Sequence, residues 1–467
     1  MDNKPFWLPP VEPQAQPPLD IRMGAPVDPF LITPLHAKVL ATKNDIDRIT
    51  PDGKWDDAKK ITNTYEYIFL SLQRRMYQSI SAITPLSRSY FKMIEMWDTL
   101  GLTGIQRTAH TAEGPGGFLE AIQDRTGNTT PMTAMTLRST ERTIPGWRKS
   151  QAFLTRYPMV RVTYGADDTG NLYRLVNQDA FTALATQDGP VDLYTADGGF
   201  DFSADFNGQE NTVQRLLVAE ALAGLTTLRI GGTMIIKIFD TKHRATLEFL
   251  WTLASCFERT GLVKPYTSRP ANSERYWIGI GYRGAPAWIL SLFRTLTAQE
   301  APLGWSQLFA TPPTAAWIAP LQQYQEAIEA QQLHKIQLTL NIIKSPTREQ
   351  IQGLLQENIR NSRVWCMEHG IPLNPRYAAL TEDQIVAANL EEALGPFQGA
   401  VARTCLPGLF RQQSTPHGST GTPIPPPPVV SAWRSALPRS VLGREPFQRD
   451  GGTAVSRSLT PPQSDSV

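Results

Sequence analysis

The chain has 467 residues, 41% of them hydrophobic, and a formal net charge of +2. That length allows one large domain with extensions or two smaller ones, and the apolar content supports a real core. The near-neutral balance excludes a whole-molecule basic footprint, so a polyanionic partner would have to meet a local groove. Cys256, Cys366 and Cys405 are far apart and show no CxxC spacing. They argue against a disulfide framework and a zinc site, and fit a reducing intracellular compartment. No apolar run approaches the roughly 20 residues needed to span a bilayer, and the N-terminus lacks a secretory stretch, so no membrane partner is expected.

In chain order, residues 1–35 are dense in proline and are expected to be a disordered or draped arm. Residues 36–100 read as a helical lead-in, in which WDDAKKITNTYEYIFLSLQRRMYQSI keeps apolar residues at helical spacing. From 101 to 290 the pattern alternates. QRTAHTA leads into AEGPGGF and a helical FLEAIQ; PMTAMTL and PMVRVTY follow; VDLYTAD precedes ENTVQRLLVAEALAGL; and GGTMIIKIFD precedes TLEFLWTLASCF. Alternating strands and helices imply βαβ units and a parallel sheet. The last two runs, LVKPYTS and RYWIGIGY, have only a short connection between them, which predicts one antiparallel strand at the end. The expected fold is therefore α/β, a Rossmann-like sheet with helical additions at both ends. Residues 291–400 return to helix. Residues 401–467, rich in Pro, Ser, Gly and Arg, read as a disordered tail with a polyproline II stretch at Pro425 to Pro428. Its readings are a solvated tail, a weak RNA contact through its arginines, or a ligand for a proline-reading partner.

Chemistry concentrates at four places. Glu113, Gly114, Pro115, Gly116, Gly117 and Phe118 form a glycine-rich turn between a predicted strand and helix. Such a turn either lets a ligand approach the backbone and the helix N-terminus or is only a tight loop. It lacks both the GxGxxG of dinucleotide oxidoreductases and the GK[ST] of P-loop nucleotidases. Asp197 ends VDLYTAD and is followed by two glycines. Lys237 is embedded in the apolar TMIIKIF, where it either serves a function or snorkels from a strand end. Glu274 lies at the entrance to the last strand. In a parallel sheet ligands gather beyond the carboxyl ends of the strands, and Asp197 and Lys237 fall at or near such ends.

The segments SRSYFKMIEMWD, AEGPGGFLEAI, TADGGFDFS with GQEN, GGTMIIKIFD and CFERTGLVKPYTSRPANSERY resemble the FtsJ-like RNA 2′-O-methyltransferases, and within them the eukaryotic and viral mRNA cap ribose methyltransferases. The resemblance covers about residues 85–283, with a fainter likeness to EHGIP near residue 371. It implies S-adenosyl-L-methionine as methyl donor and a Lys-Asp-Lys-Glu tetrad, which falls on Lys92, Asp197, Lys237 and Glu274. It also implies an adenine contact from an aspartate in YGADDTG, either Asp167 or Asp168, of which Asp168 is favoured; a simple turn role is the alternative. His110 stands where many relatives carry an acid, and Glu113 where a small residue is common, so Glu113 is a candidate for a polar contact to the methionine part of the cofactor.

The reaction so implied is methyl transfer to a ribose 2′-hydroxyl of a cap-proximal nucleotide. A lysine can help remove that hydroxyl's proton if its usual pKa of about 10.4 falls toward 7–8. Burial and a second lysine nearby are expected to lower that of Lys237, with Asp197 orienting it and Lys92 and Glu274 positioning the ribose. Alternatives are methylation of uncapped ribosomal or transfer RNA, or a catalytically silent RNA-binding scaffold. Capped RNA is the expected substrate and other capping enzymes are candidate partners; DNA is not expected, and nucleus, cytoplasm and viral factory remain open as sites of action. For the RNA phosphates, Arg138, Arg142, Arg148 and Lys149 after the second strand, and Arg269 and Arg275 around Glu274, are the candidates, with solvated surface charge as the alternative for each.

Overall fold

In the computed structural model, residues 3–24, 29–49, 54–70, 79–141, 144–199 and 209–397 are described. The strands are β1 (Phe6–Trp7), β2 (Leu19–Met23), β3 (Thr108–Thr111), β4 (Met132–Met135), β5 (Val160–Thr163), β6 (Val191–Ala196), β7 (Leu228–Ile238), β8 (Phe257–Val263), β9 (Arg275–Tyr282) and β10 (Trp305–Phe309). The helices are α1 (His36–Ile49), α2 (Lys54–Thr62), α3 (Ser89–Leu100), α4 (Gly117–Arg125), α5 (Gln151–Arg156), α6 (Leu175–Ala185), α7 (Gln209–Thr227), α8 (Arg244–Ala254), α9 (Ala287–Ala298), α10 (Ala315–Lys344), α11 (Arg348–Glu368), α12 (Pro375–Ala378) and α13 (Glu382–Leu394).

Eight strands form one sheet in the order β1-β8-β9-β7-β6-β3-β4-β5. The run β7-β6-β3-β4-β5 is parallel, and β9 inserts antiparallel between β7 and β8. This is the Rossmann-like sheet with an antiparallel last strand that the alternation predicts. Strand residues alternate between its faces. Tyr194 and Ala196 of β6, Met234, Ile236 and Ile238 of β7 and Trp277 of β9 pack in one core, with Leu217 and Leu222 of α7 and Phe293 of α9. Leu193, Ile235, Tyr276 and Ile278 face the other core, with Phe91 and Ile94 of α3, Phe118 and Ile122 of α4 and Trp365 of α11. By the same alternation Thr195, Asp197 and Lys237 belong to the α3/α4 face.

Three expectations are corrected. The proline-rich arm is ordered over much of its length: β1 pairs antiparallel with β8, Leu8 N donates to Thr260 O at 2.8 Å, and Leu8, Val11 and Leu31 are buried. Proline lacks a donor but is tolerated beside a sheet edge, and the apolar residues between the prolines supply the anchors. Residues 71–78 lie outside the described residues, and the helical spacing read through residues 55–80 gives an α-helix only to Thr62, then a 3-10 turn at Glu66–Ile68. There Asn358 of α11 accepts from Tyr67 N and donates to Asn63 O at 2.6 Å, so tertiary bonds replace helical ones. The C-terminal addition is helical in α9, α10, α11 and α13 but also holds β10, which pairs antiparallel with β2. Residues 398–467, including Cys405 and the polyproline stretch, lie outside the described residues.

Candidate active site

Because β9 runs antiparallel to both β7 and β8, its N-terminal end lies beside their C-terminal ends; Lys237 is registered against Tyr276, and Ile238 against Arg275. The carboxyl-terminal ends of β6, β7 and β8 therefore gather Asp197 after β6, Lys237 in β7, Lys264 after β8 and Glu274 before β9. Lys92 reaches the same place from α3: its Nζ lies 2.7 Å from Glu274 Oε1. One helical turn further along, buried Glu95 accepts from Tyr266 N at 2.7 Å and from the Thr267 amide and hydroxyl, which ties α3 to the segment leading to Glu274.

All four residues of the expected tetrad thus come together. Lys237 Nζ donates to Asp197 O at 2.7 Å and lies 3.4 Å from Asp197 Oδ1. Glu274 Oε1 also accepts from Ser268 Oγ at 2.8 Å. Burial and then Lys92 and Lys237 act on Glu274 in opposite directions, and the lysines prevail, holding its carboxyl well below the usual range. For Lys237 the outcome differs from the expectation. Burial disfavours its ammonium, but Asp197, then Glu274 and Glu220, favour it more, and its pKa lies above the ordinary lysine value. The nearby carboxylates outweigh the desolvation.

Sequence reasoning missed two members of this cluster. Tyr276 OH donates to Asp197 Oδ1 at 2.8 Å. Lys264 Nζ donates to Asn272 O and Oδ1, both at 3.0 Å, and to Glu274 O at 2.7 Å. Burial pushes Lys264 down to about 7, against the pull of Glu274. Both were findable: Tyr276 lies two residues from Glu274 at the start of a strand, and Lys264 ends an apolar strand much as Lys237 does.

The glycine turn leaves β3 with Ala112 in the left-handed region (φ 54°) and enters α4 through Gly116 (φ 102°). Its glycines are required by protein packing. A Cβ on Gly114 would lie 2.8 Å from Gly146 O, and one on Gly117 would lie 2.2 Å from Ser89 Oγ. Pro115 O accepts from Ser150 Oγ, and the Phe118 ring sits 5.8 Å from that of Tyr276, under the site. Gly198 is equally constrained, since a Cβ there would meet Glu220 Oε1 at 2.0 Å. Glu113 is 3% exposed, its Oε1 accepts from Thr195 Oγ1 at 2.6 Å, and its Oε2 has no hydrogen-bond partner among the described residues.

At the end of β5, Asp167 is consumed by its own loop, accepting from Thr169 N and Oγ1 and lying 2.7 Å from Arg174 Nε. Asp168 (φ 63°) has a largely exposed carboxylate that pairs with Arg138, and the Arg138 guanidinium lies 3.9 Å over the Tyr164 ring. Of the cations proposed for RNA, Arg275 requires correction. It is fully buried, its guanidinium bonded to Thr241 Oγ1 and Gln325 Oε1, so no phosphate can reach it. Arg269 forms a two-point pair with Glu66. Arg148 donates to Ser139 O, Glu141 O and Ile144 O and so closes its own loop. Lys149 is exposed, and Arg142 lies outside the described residues.

Residues 85–282 match the family described as FtsJ-like methyltransferase. The Cap-specific mRNA (nucleoside-2′-O-)-methyltransferase 1 of Trypanosoma cruzi is 33% identical over 192 residues, which cover 40% of this chain and 51% of that protein. The protein of the same name from Drosophila melanogaster is 30% identical over 167 residues, covering 35% and 21%. The Probable methyltransferase EP424R of African swine fever virus is 30% identical over 209 residues, covering 42% and 49%. The alignment thus spans about half the length of the trypanosome and viral relatives. Residues 85–282, which hold Lys92, Asp197, Lys237 and Glu274, are similar to the FtsJ-like methyltransferases.

Proposed function

We propose that the chain is an S-adenosylmethionine-dependent mRNA cap (nucleoside-2′-O-)-methyltransferase. The observation that carries this reading is the joining of Lys92, Asp197, Lys237 and Glu274 into two adjoining ion pairs at the carboxyl ends of β6 and β7. The cap preference is supported by relatives whose names specify it, and by a cavity of about 220 Å³ beyond the end of β7. His36, Lys43, Glu210, Asp240, Lys242 and His243 line that cavity, a mixture of cations and carboxylates suited to a charged nucleotide.

The cofactor's fit rests on Glu113 Oε2, a buried oxygen just after β3 with no partner among the described residues, where a ligand's cation would satisfy it. Glu113, the turn through Phe118 and Asp168 would hold it, and when bound it supplies an electrophilic methyl group on a positively charged sulfur. Lys92 and Glu274, locked to each other, would orient the ribose. Lys237 rests as an ammonium held by Asp197, and it becomes a base as added positive charge beside Asp197 weakens that hold. Tyr276 keeps the Asp197 carboxylate in place from the neighbouring strand.

The test is to incubate the full chain and methyl donor with capped, triphosphorylated and internal-sequence RNAs, then identify nucleosides by mass spectrometry. A 2′-O-methyl nucleoside adjacent to the cap is expected. Methylation of the uncapped RNAs alone would replace this reading with a ribosomal or transfer RNA activity. No product, with cofactor and RNA both bound, would make the chain a silent scaffold.

A further inference from the structure

Among the described residues, no cation forms an ion pair with the Glu113 carboxyl. On the β3 side its neighbour is His110, which burial pushes down to about 3 and keeps neutral. His110 Nδ1 meets Thr195 Oγ1 at 2.8 Å, its Nε2 meets Thr108 Oγ1 at 2.6 Å, and Thr195 Oγ1 in turn donates to Glu113 Oε1. This chain of side chains joins β3 to β6 with no net charge. From the end of β6 Asp197 faces Glu113, from α7 Glu220, and from β7 Lys237; Tyr194 and Tyr276 complete the titratable groups around it among the described residues. The one cation of that set, Lys237, is held by Asp197 through both carbonyl and carboxylate. Burial, with Asp197 adding to it, therefore keeps Glu113 protonated well above the ordinary carboxyl range. Its second oxygen is buried without a partner among the described residues, which is costly unless something arrives to use it.

Resting on the reading of the chain as an S-adenosylmethionine-dependent enzyme, we propose that Glu113 receives a cationic group of the cofactor and gives up its carboxyl proton to solvent as that group arrives, so that cofactor binding is coupled to proton release. The charges balance. One proton leaves Glu113, one carboxylate forms, and one fixed positive charge of the ligand replaces the proton. The cofactor offers two such charges, an ammonium and a sulfonium, and both suit a carboxylate at this position. Because the carboxyl is more acidic in the complex than in the free protein, affinity rises with pH between those two pKa values and levels off above the free one. Glu220 also lacks a full charge partner, but it stands behind Gly198 on the α7 side, where a Cβ on Gly198 would meet its Oε1 at 2.0 Å.

The test is isothermal titration of the full chain with S-adenosylmethionine at several pH values, in buffers of different ionisation enthalpy, which counts protons directly. Wild type is expected to release close to one proton per cofactor on the rising limb, with affinity climbing up to about tenfold per pH unit there. Glu113→Gln retains the acceptor for Thr195 and is expected to release no such proton and to show a flat limb. S-adenosylhomocysteine keeps the ammonium and lacks the sulfonium: retained release assigns the ammonium, lost release the sulfonium. Binding by wild type with no proton exchange, or with the same exchange in Glu113→Gln, would overturn the proposal while leaving the enzyme reading intact. Absence of any cofactor binding by the folded wild type would overturn both.

Discussion

Lys92 Nζ and Glu274 Oε1 lie 2.7 Å apart, with only 14% and 12% of the two side chains exposed, and they join α3 to the loop before β9. A pair this enclosed is costly to break and inexpensive to replace as a unit, because the penalty for a single removal is one uncompensated buried charge. Lys92→Met should therefore lower the unfolding free energy, by less than the about 3–5 kcal/mol typical of such breaks, since Lys237 and Lys264 remain beside Glu274. Lys92→Met combined with Glu274→Met should recover most of that stability and none of the methyl transfer. Thermal melts and a methylation assay on the two variants check this. A double variant that regains activity would separate the pair from catalysis.

Lys237 is held charged by Asp197, with Glu274 and Glu220 adding to the hold. If it is the base, the rate of methyl transfer should climb as pH rises from 7 toward 9, following the fraction of neutral amine. Lys237→Ala should abolish turnover and leave cofactor affinity within a few-fold, because the role lies in the reaction step. Arginine should not rescue it, since a guanidinium stays protonated. A pH profile that is flat over this range would leave Lys237 an orienting donor rather than a base.

Much of this site was legible because its residues are costly where they stand. A lysine inside TMIIKIF and an aspartate closing VDLYTAD mark themselves, and family likeness joins them to Lys92 and Glu274. The alternating pattern likewise exposed the parallel sheet and its antiparallel last strand. What did not show was set by partners distant in sequence. Arg275 reads as a surface cation in SERYW, yet β9 turns it inward onto Thr241 and Gln325. The direction of the Lys237 shift depends on three carboxylates, and Glu220 looks like an ordinary helical charge in VAEALAGL. β1 is two residues long and becomes visible only when the β8 edge is there to receive it.

Glu220 offers a test that needs no substrate. It is fully buried, and burial chiefly, with Asp197 adding, pushes its carboxyl up to about 8 from an ordinary 4.5. The folded chain thus keeps a proton that the unfolded chain sheds above about pH 4.5. The associated stability is present in full near pH 4–5 and declines as pH rises toward 8, by at most about 5 kcal/mol. Glu220→Gln should remove that decline, so the variant gains on wild type between pH 5 and pH 8. Melting curves at those two pH values that shift in parallel for both proteins would show that the carboxyl does not titrate with folding.

If the chain acts on capped RNA as proposed, its near-neutral balance requires that local cations hold the phosphates. The cations around the site are largely occupied: Arg269 by Glu66, Arg148 by its own loop carbonyls, Arg275 by the core. Arg138 and Lys149 follow β4 on the exposed side, and Arg138 is paired with the exposed Asp168 and stacked on Tyr164. An exposed ion pair is weak, so a phosphate can compete with Asp168 for Arg138 at little cost. Neutralising Arg138 and Lys149 together should weaken binding of a short capped RNA and reduce the salt slope by roughly one to two counterions. Arg275→Met should leave that slope unchanged and lower the melting temperature instead, because it strips Thr241 and Gln325 of a buried donor. Fluorescence anisotropy across a salt series, with a melt on each variant, measures both effects. If the Arg138 and Lys149 variant keeps the wild-type slope, the RNA path runs instead along the cavity beyond β7, where Lys43 and Lys242 become the cations to replace.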